Sequence, residues 1–197
     1  MREKQENTRI RATQEAIKQA YLRSLQSSDK INVAELCRRA RVNRGTFYNH
    51  FADIADVQET LENELFESVA SELKKSSAFS YEFFLNVLHV IKENTVLVKA
   101  VLDNIQNSVF FRNVVSYFRH MYVGDFERVS PALPREEAES LFTYILSGSI
   151  GLISDWLRTQ QAEPEEKIAE KISRLNGAVL AFVRQNPSGT DDRKNSF

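Results

Sequence analysis

The stretch "RVNRGTFYNHF", Arg41 to Phe51, crowds hydrogen-bonding side chains into eleven residues. Asn43, Arg44, Thr46, Tyr48, Asn49 and His50 are polar, Gly45 has no side chain, and Val42, Phe47 and Phe51 are apolar. An Arg fork, hydroxyls and amides together suit phosphate oxygens and the edges of bases. The spacing sorts them. With Asn43 as N-cap, Arg44, Gly45 and Thr46 open a helix. Phe47 and Phe51 lie four apart and share an inward face. Arg44 with Tyr48, and Gly45 with Asn49, are also four apart and share the outward face. The first turn of such a helix carries free N–H groups and the positive end of the dipole, both suited to phosphate.

Other helices must hold this one in place. Residues 8–26 read as a helix: Ile10, Thr13, Ile17, Ala20 or Tyr21, and Ser24 or Leu25 recur at three- or four-residue steps. "SSDKI" breaks it. Asn32, with Glu35 three residues on, is an Asn version of the capping box and starts a second helix from Val33 to about Ala40. Leu36 and Cys37 are its inward positions. "RVN" then separates it from the third helix. Two short helices joined by a three-residue turn, the second with a polar N-terminus, form a helix-turn-helix arrangement. Gly45 costs helix stability of about 1 kcal/mol; its use there would be to let the backbone close on DNA.

The chain has 197 residues, with only 6 Gly and 4 Pro, which argues for helix rather than for strands that need frequent turns. Residues 1–51 hold 11 Lys and Arg against 5 Asp and Glu, a net of +6, while residues 52–197 hold 15 against 22, a net of −7. A basic head on an acidic body fits a head that meets a polyanion. One cysteine, Cys37, excludes an intramolecular disulfide; core packing is favoured over redox sensing. The N-terminus is polar, unlike a secretory signal, and the longest apolar run, 141–157, carries Asp155 with several Ser and Gly, unlike a membrane span. A cytoplasmic protein without a membrane segment is expected. There is no Cys cluster, no His pair at metal spacing and no Gly-rich phosphate loop, so neither catalysis, nor a metal, nor a cofactor is expected.

"INVAELCRRARVNRGTFYNHFADIADV" resembles the N-terminal signature of TetR/AcrR-family transcriptional regulators, over about Arg9 to Leu61. Its most specific part is Gly45-Thr46-Phe47-Tyr48-Asn49-His50-Phe51. The resemblance implies an all-α fold: an N-terminal three-helix helix-turn-helix DNA-binding domain and a C-terminal helical ligand-binding and dimerisation domain. It implies that Arg44 and Gly45 approach base edges, that Thr46 meets phosphate or a thymine methyl, and that Tyr48 and His50 meet phosphate. Asn49 falls at a variable position that touches base or backbone. Asn32 falls where a Thr often caps the second helix and contacts phosphate. Two positions depart from the pattern. Arg41 stands where the turn usually has Gly, so an Arg is expected in a left-handed conformation at some cost. Ile54 stands where a phosphate-contacting Lys is common, which leaves a basic arm of Arg2, Lys4, Arg9 and Arg11 to compensate.

The body reads as further helices. Val57, Leu61, Leu65, Val69 and Leu73 step by four along a helix of about 53–75. Ser80 caps 80–94; 95–104 is short; 108–129 is long and aromatic; Pro134 opens a helix to about Gln160; Pro164 opens the last, to about Gln185. Domains are expected at 1–52 and 53–185, with a polar tail at 186–197. Ile168, Ile172, Leu175, Val179 and Phe182 step as a packing seam. With Ser147, Gly148 and Gly151, which would let another helix come close, they are expected to form a homodimer interface. The alternative is one wide monomer core. Aromatic residues from Phe79 to Tyr122 are either ordinary core or, as the resemblance implies, the walls of a pocket for a small apolar or aromatic effector. Phe84, His89, Phe111, Tyr117, Phe118 and Met121 are its candidates. The expected partners are a palindromic double-stranded operator, a second copy and that effector, whose signal would pass along helix 53–75. The alternative is a TetR-like coactivator that works through a protein partner.

Overall fold

Helix formation follows the apolar spacing. The computed structural model describes residues 2–27, 31–73 and 80–185. Its helices are α1 (Arg2–Leu25), α2 (Val33–Ala40), α3 (Arg44–Tyr48), α4 (Ile54–Leu73), α5 (Tyr81–Glu93), α6 (Thr95–Asp103), α7 (Val109–Val129), α8 (Arg135–Arg158) and α9 (Glu165–Gln185), with a 3-10 turn at Ile105–Asn107. The all-α expectation is met. Residues 186–197 and Phe79 lie outside the described residues.

The helices form two compact units. One runs to Glu67 and adds Asn94–Phe110; the other is Ser68–Glu93 and the chain from Phe111 onward. The boundary expected near residue 52 therefore does not coincide with the edge of a compact unit. In the first unit α2 packs on α1 and on α3, and α6 packs on α1. Its core is Ile17, Ala20, Tyr21, Leu36, Phe47, Phe51, Val57 and Leu61, with Leu97, Val98 and Val101 from α6. An amphipathic helix shows that it has a buried face, not which helix covers it, so the placement of α6 was not legible in its own nine residues. The chain also passes between the units at three points, 67/68, 93/94 and 110/111. Helix α4 is thus one of three covalent routes, where a single connecting helix was expected.

In the second unit, α5 packs on α9 and α9 on α8. Rings build much of its core: Phe83 to Phe118 is 6.0 Å, Phe118 stacks on Tyr122 at 5.7 Å, and Tyr122 meets Phe142 at 6.0 Å. Such pairs stabilise beyond simple burial, by about 0.5–1.5 kcal/mol each. Ser80 Oγ accepts from the Phe83 N–H at 3.1 Å, which is the expected cap of α5.

The turn between α2 and α3 is set by two local devices. Arg41 has φ 57 and ψ 40, the left-handed conformation expected of it. Its N–H donates to the Arg38 carbonyl at 3.4 Å and the Val42 N–H to the Cys37 carbonyl at 3.0 Å, a Schellman closure of α2. An L-residue bears a conformational cost there that Gly would not, partly offset by the greater freedom of Gly in the unfolded chain. Arg41→Gly is expected to raise stability by about 0.5–1 kcal/mol. Urea unfolding checks this: the midpoint should rise with an unchanged slope.

Candidate nucleic-acid interface

The candidate interface is built on caps. Asn32 Oδ1 accepts from the Glu35 N–H at 3.0 Å and starts α2. The Glu35 carboxylate is shared by its own helix: Arg38 Nε and Nη2 donate to it at 2.8 and 2.6 Å, and Arg39 Nε at 2.6 Å. Arg39 also donates to Ser24 Oγ at 3.1 Å and to Ser27 Oγ at 3.4 Å, which ties α2 to the end of α1. These two hydrogen-bonded arginines hold Glu35 well below the usual carboxylate range, at about 2. Arg39, basic and in the head, is thereby committed to the fold.

Asn43 Oδ1 accepts from the Thr46 N–H at 2.7 Å and starts α3. Gly45 has a local reason here. A Cβ on it would lie 3.2 Å from Asn43 Oδ1, so the bare backbone leaves room for the cap. Helix α3 is shorter than the sequence suggests. It ends at Tyr48, and Asn49 and His50 form a turn in which the His50 N–H donates to the Phe47 carbonyl at 2.9 Å. The Phe51 N–H still reaches the Phe47 carbonyl at 3.0 Å, so both rings stay on the inward side. Phe47 is 0% and Phe51 4% exposed.

Arg44, Gly45, Tyr48 and Asn49 are exposed, as are the caps Asn32 and Asn43, while Thr46 and His50 are half-buried. The structure therefore brings Arg44, Gly45, Tyr48 and Asn49 to the outside of α3 and the turn that follows it, with Thr46 and His50 half-buried beside them. Arg41 and Arg44 pair with no carboxylate among the described residues. Cys37 sits behind them, 6% exposed, and burial raises its thiol above the ordinary value, against the pull of the Arg44 charge. A thiol so held is a core group.

The start of α4 answers to Ile54. Asp53 Oδ1 accepts from the Asp56 N–H at 2.9 Å, and Asp56 Oδ2 accepts from the Ala52 N–H at 2.7 Å. Two carboxylates of the chain itself take one N–H of the first turn and one of the residue before it, and their negative charge leaves this helix start poorly suited to phosphate. Sequence reasoning noted the missing Lys and overlooked these caps, although D-x-x-D before an apolar run is a legible signal.

The other candidate residues fare differently. Ser147, Gly148 and Gly151 of α8 are exposed, Leu175 and Phe182 of α9 are 52% and 48% exposed, and Val179 is half-buried. Ile168 and Ile172 are 4% and 1% exposed in the chain's own core, so they have no surface to offer a second copy. The seam read along α9 is in fact two faces. Of the pocket candidates, Phe84 and Phe118 are buried in ring packing, Phe111 and Met121 are half-buried, and Tyr117 is 38% exposed. His89 is exposed, with Glu93 at 3.5 Å and Glu165 at 3.7 Å, and so belongs to a surface charge cluster rather than an apolar wall.

The described residues are all-helical, with a capped helix-turn-helix near the start of the chain and further helices after it. Residues 80–176 match the family model of the TetR-type "Transcriptional regulator C-terminal region". That match spans just under half of the chain, and the all-helical fold of the described residues agrees with it. It is similar to the TetR transcriptional regulator from Streptococcus agalactiae 2603V, with a TM-score of 0.64 and 21% identity over 87% of this chain and 97% of that one. It is also similar to a protein of Syntrophomonas wolfei str. Goettingen described as a TetR-family transcriptional regulator, with a TM-score of 0.63 and 16% identity over 86% and 95% of the two chains. No curated protein matches the chain.

The Glu35 cluster predicts a pH dependence. Its folded value, about 2, lies below the ordinary 4.5, so its charge stabilises the fold above pH 4.5 and that contribution is lost as pH falls toward 2. Glu35→Gln is expected to lower the urea midpoint at neutral pH, by a small amount because ion pairs at the surface contribute little. The difference from the parent protein should close between pH 4.5 and about 2.

Proposed function

We propose that the chain is a homodimeric repressor that reads a palindromic operator with α3 and is released by a small apolar or aromatic effector. The observation that carries this reading is the outward side of α3 and its C-cap: Arg44, Gly45, Tyr48 and Asn49 are exposed around a wholly buried Phe47. Arg44 is assigned to a base edge, where its fork pairs with guanine. Gly45 lets it approach. Thr46, Tyr48 and His50, with the caps Asn32 and Asn43, are assigned to phosphate and Asn49 to base or backbone. In a dimer the two α3 helices would meet successive major grooves about 34–36 Å apart. Selection of bound duplexes from random DNA tests the reading, and a two-fold symmetric motif is expected. Arg44→Ala should cost about 1–3 kcal/mol and relax one base position in each half-site. Ile54→Lys should strengthen binding to all sequences and steepen its salt dependence by about one charge.

The dimer is assigned to α8 and α9. Leu141, Tyr144 and Leu152 of α8, with Leu175, Val179 and Phe182 of α9, line an open groove of about 610 Å³. Tyr144 is 70% exposed, an apolar surface that a second copy would cover. Sedimentation should give about twice 22.7 kDa, and Leu175→Glu should give the monomer with its helical content intact.

The effector is assigned to the aromatic second unit, and linkage requires it to bind the DNA-free protein better than the bound form. A second reading, action through a protein partner, is favoured by Asp53 and Asp56, which put negative charge where phosphate would approach α4. Under it, random-pool selection yields no motif. No described helix is long and apolar enough to cross a membrane, and we place the protein in the cytoplasm with its DNA.

A further inference from the structure

Glu62 is 1% exposed and is the one buried side chain among the described residues that ordinarily carries a charge. Three donors are aimed at it. Ser108 Oγ donates to Oε2 at 2.8 Å and the Phe110 backbone N–H to the same oxygen at 3.0 Å. Gln58 Nε2 donates to Oε1 at 2.7 Å. Gln58 Oε1 in turn accepts from the Tyr21 hydroxyl at 2.8 Å. The network runs from α1 through α4 to the first turn of α7, all within the first unit. Phe110 is the second residue of α7, so Glu62 caps that helix from outside, at the end where N–H groups lack partners. Phe110 is also the last residue before the chain passes to the second unit, and Glu62 shortly precedes another such passage in α4.

Burial makes this network close to all-or-none. A carboxylate in low dielectric that loses one of its donors is costly, so intermediate arrangements are disfavoured. We propose that Glu62 is a positioning residue that couples the first turn of α7 to α1, so that a displacement at either end is felt at the other through Gln58 and Tyr21. The coupling itself is independent of DNA; its use in regulation rests on the repressor reading above.

The variants follow from the donor pattern. In Glu62→Gln the amide oxygen can keep accepting from Ser108 and Phe110 while its NH₂ faces Gln58. Gln58 then turns its amide over, and Tyr21 becomes the acceptor. Glu62→Gln is thus the rescue variant, and Glu62→Ala is the variant that breaks the cap. Amide exchange in the full-length protein, resolved residue by residue by NMR, reads the coupling. Glu62→Ala should speed exchange at Phe110 about tenfold or more, the loss of a hydrogen bond to a charged group, and Glu62→Gln far less. The decisive variant is Tyr21→Phe, which removes a hydroxyl bonded to Gln58 and leaves the donors to Glu62 in place. It should still speed exchange at Phe110 by at least about twofold while leaving α9 amides unchanged. If Phe110 exchanges in Tyr21→Phe as in the parent protein, the coupling is absent and Glu62 is only a local cap. A second arm adds a mixed-sequence DNA duplex at low salt. Binding should slow exchange in α3 in both proteins, and at Phe110 in the parent protein more than in Tyr21→Phe. Slowing in α3 with an equal response at Phe110 in both overturns the regulatory role alone. No slowing in α3 overturns the DNA reading, and leaves the coupling to be decided by the first arm.

Discussion

Phe47 has no exposed surface although it belongs to a helix of only five residues. A helix that short does not persist in water by itself, because nucleation costs more than its few hydrogen bonds return. Burial of Phe47, with Phe51 beside it at 6.1 Å between ring centres, is what keeps α3 in place. Once that ring points inward, the helical period carries Gly45 to the opposite side, while Tyr48 on the flank and Arg44 in the open first turn stay exposed. The caps then set where the helix begins. The left-handed turn at Arg41 ends α2 and the Asn43 side chain starts α3 two residues later. The polar face that reads as a nucleic-acid surface is therefore a consequence of one buried ring and two caps.

The same constraints decide which polar groups remain for a partner. Arg38 and Arg39 both bind Glu35, and Arg39 also binds α1, so positive charge in the sequence overstates what the head can offer. Arg41 and Arg44 are the cations left on the turn and on α3. At the start of α4 the competition goes the other way. Asp53 and Asp56 place two carboxylates at the helix N-terminus, one of them capping its first turn, which stabilises α4 and discourages an anion there. Gly45 belongs to this pattern too, since it makes space for the Asn43 cap. Local stability and surface recognition draw on the same few residues.

Helix α9 shows how one apolar stripe serves two surfaces. Ile168, Ala169, Ile172 and Val183 are buried among the chain's own helices. Leu175 and Phe182 lie on a different side and remain exposed. A polar contact lies near the division: Asn176, 6% exposed, donates from Nδ2 to Ser149 Oγ of α8 at 3.2 Å. A buried amide that finds its partner on the neighbouring helix favours one register of the pair over others.

By itself the sequence determined what local rules control. The succession of helices, though not the start of α1 at Arg2 or the end of α3 at Tyr48, the caps at Asn32, Asn43 and Ser80, the inward rings of α3 and the strained Arg41 were legible, because periodicity, capping and backbone sterics act over a few residues. Family resemblance was legible for the same reason, in one short signature. Tertiary structure alone decided the rest. That α6 packs on α1, that Ile172 faces inward while Leu175 faces out, and that His89 sits between carboxylates depend on which helix covers which face. Glu62 is the clearest instance. In a helix that also carries Glu59, Glu64, Glu67 and Glu72, nothing in the sequence distinguishes it. Only the folded chain brings Ser108 and the Phe110 N–H, more than forty residues away, onto its carboxylate. Long-range partners of this kind are chosen by packing, and packing is not written in any local window.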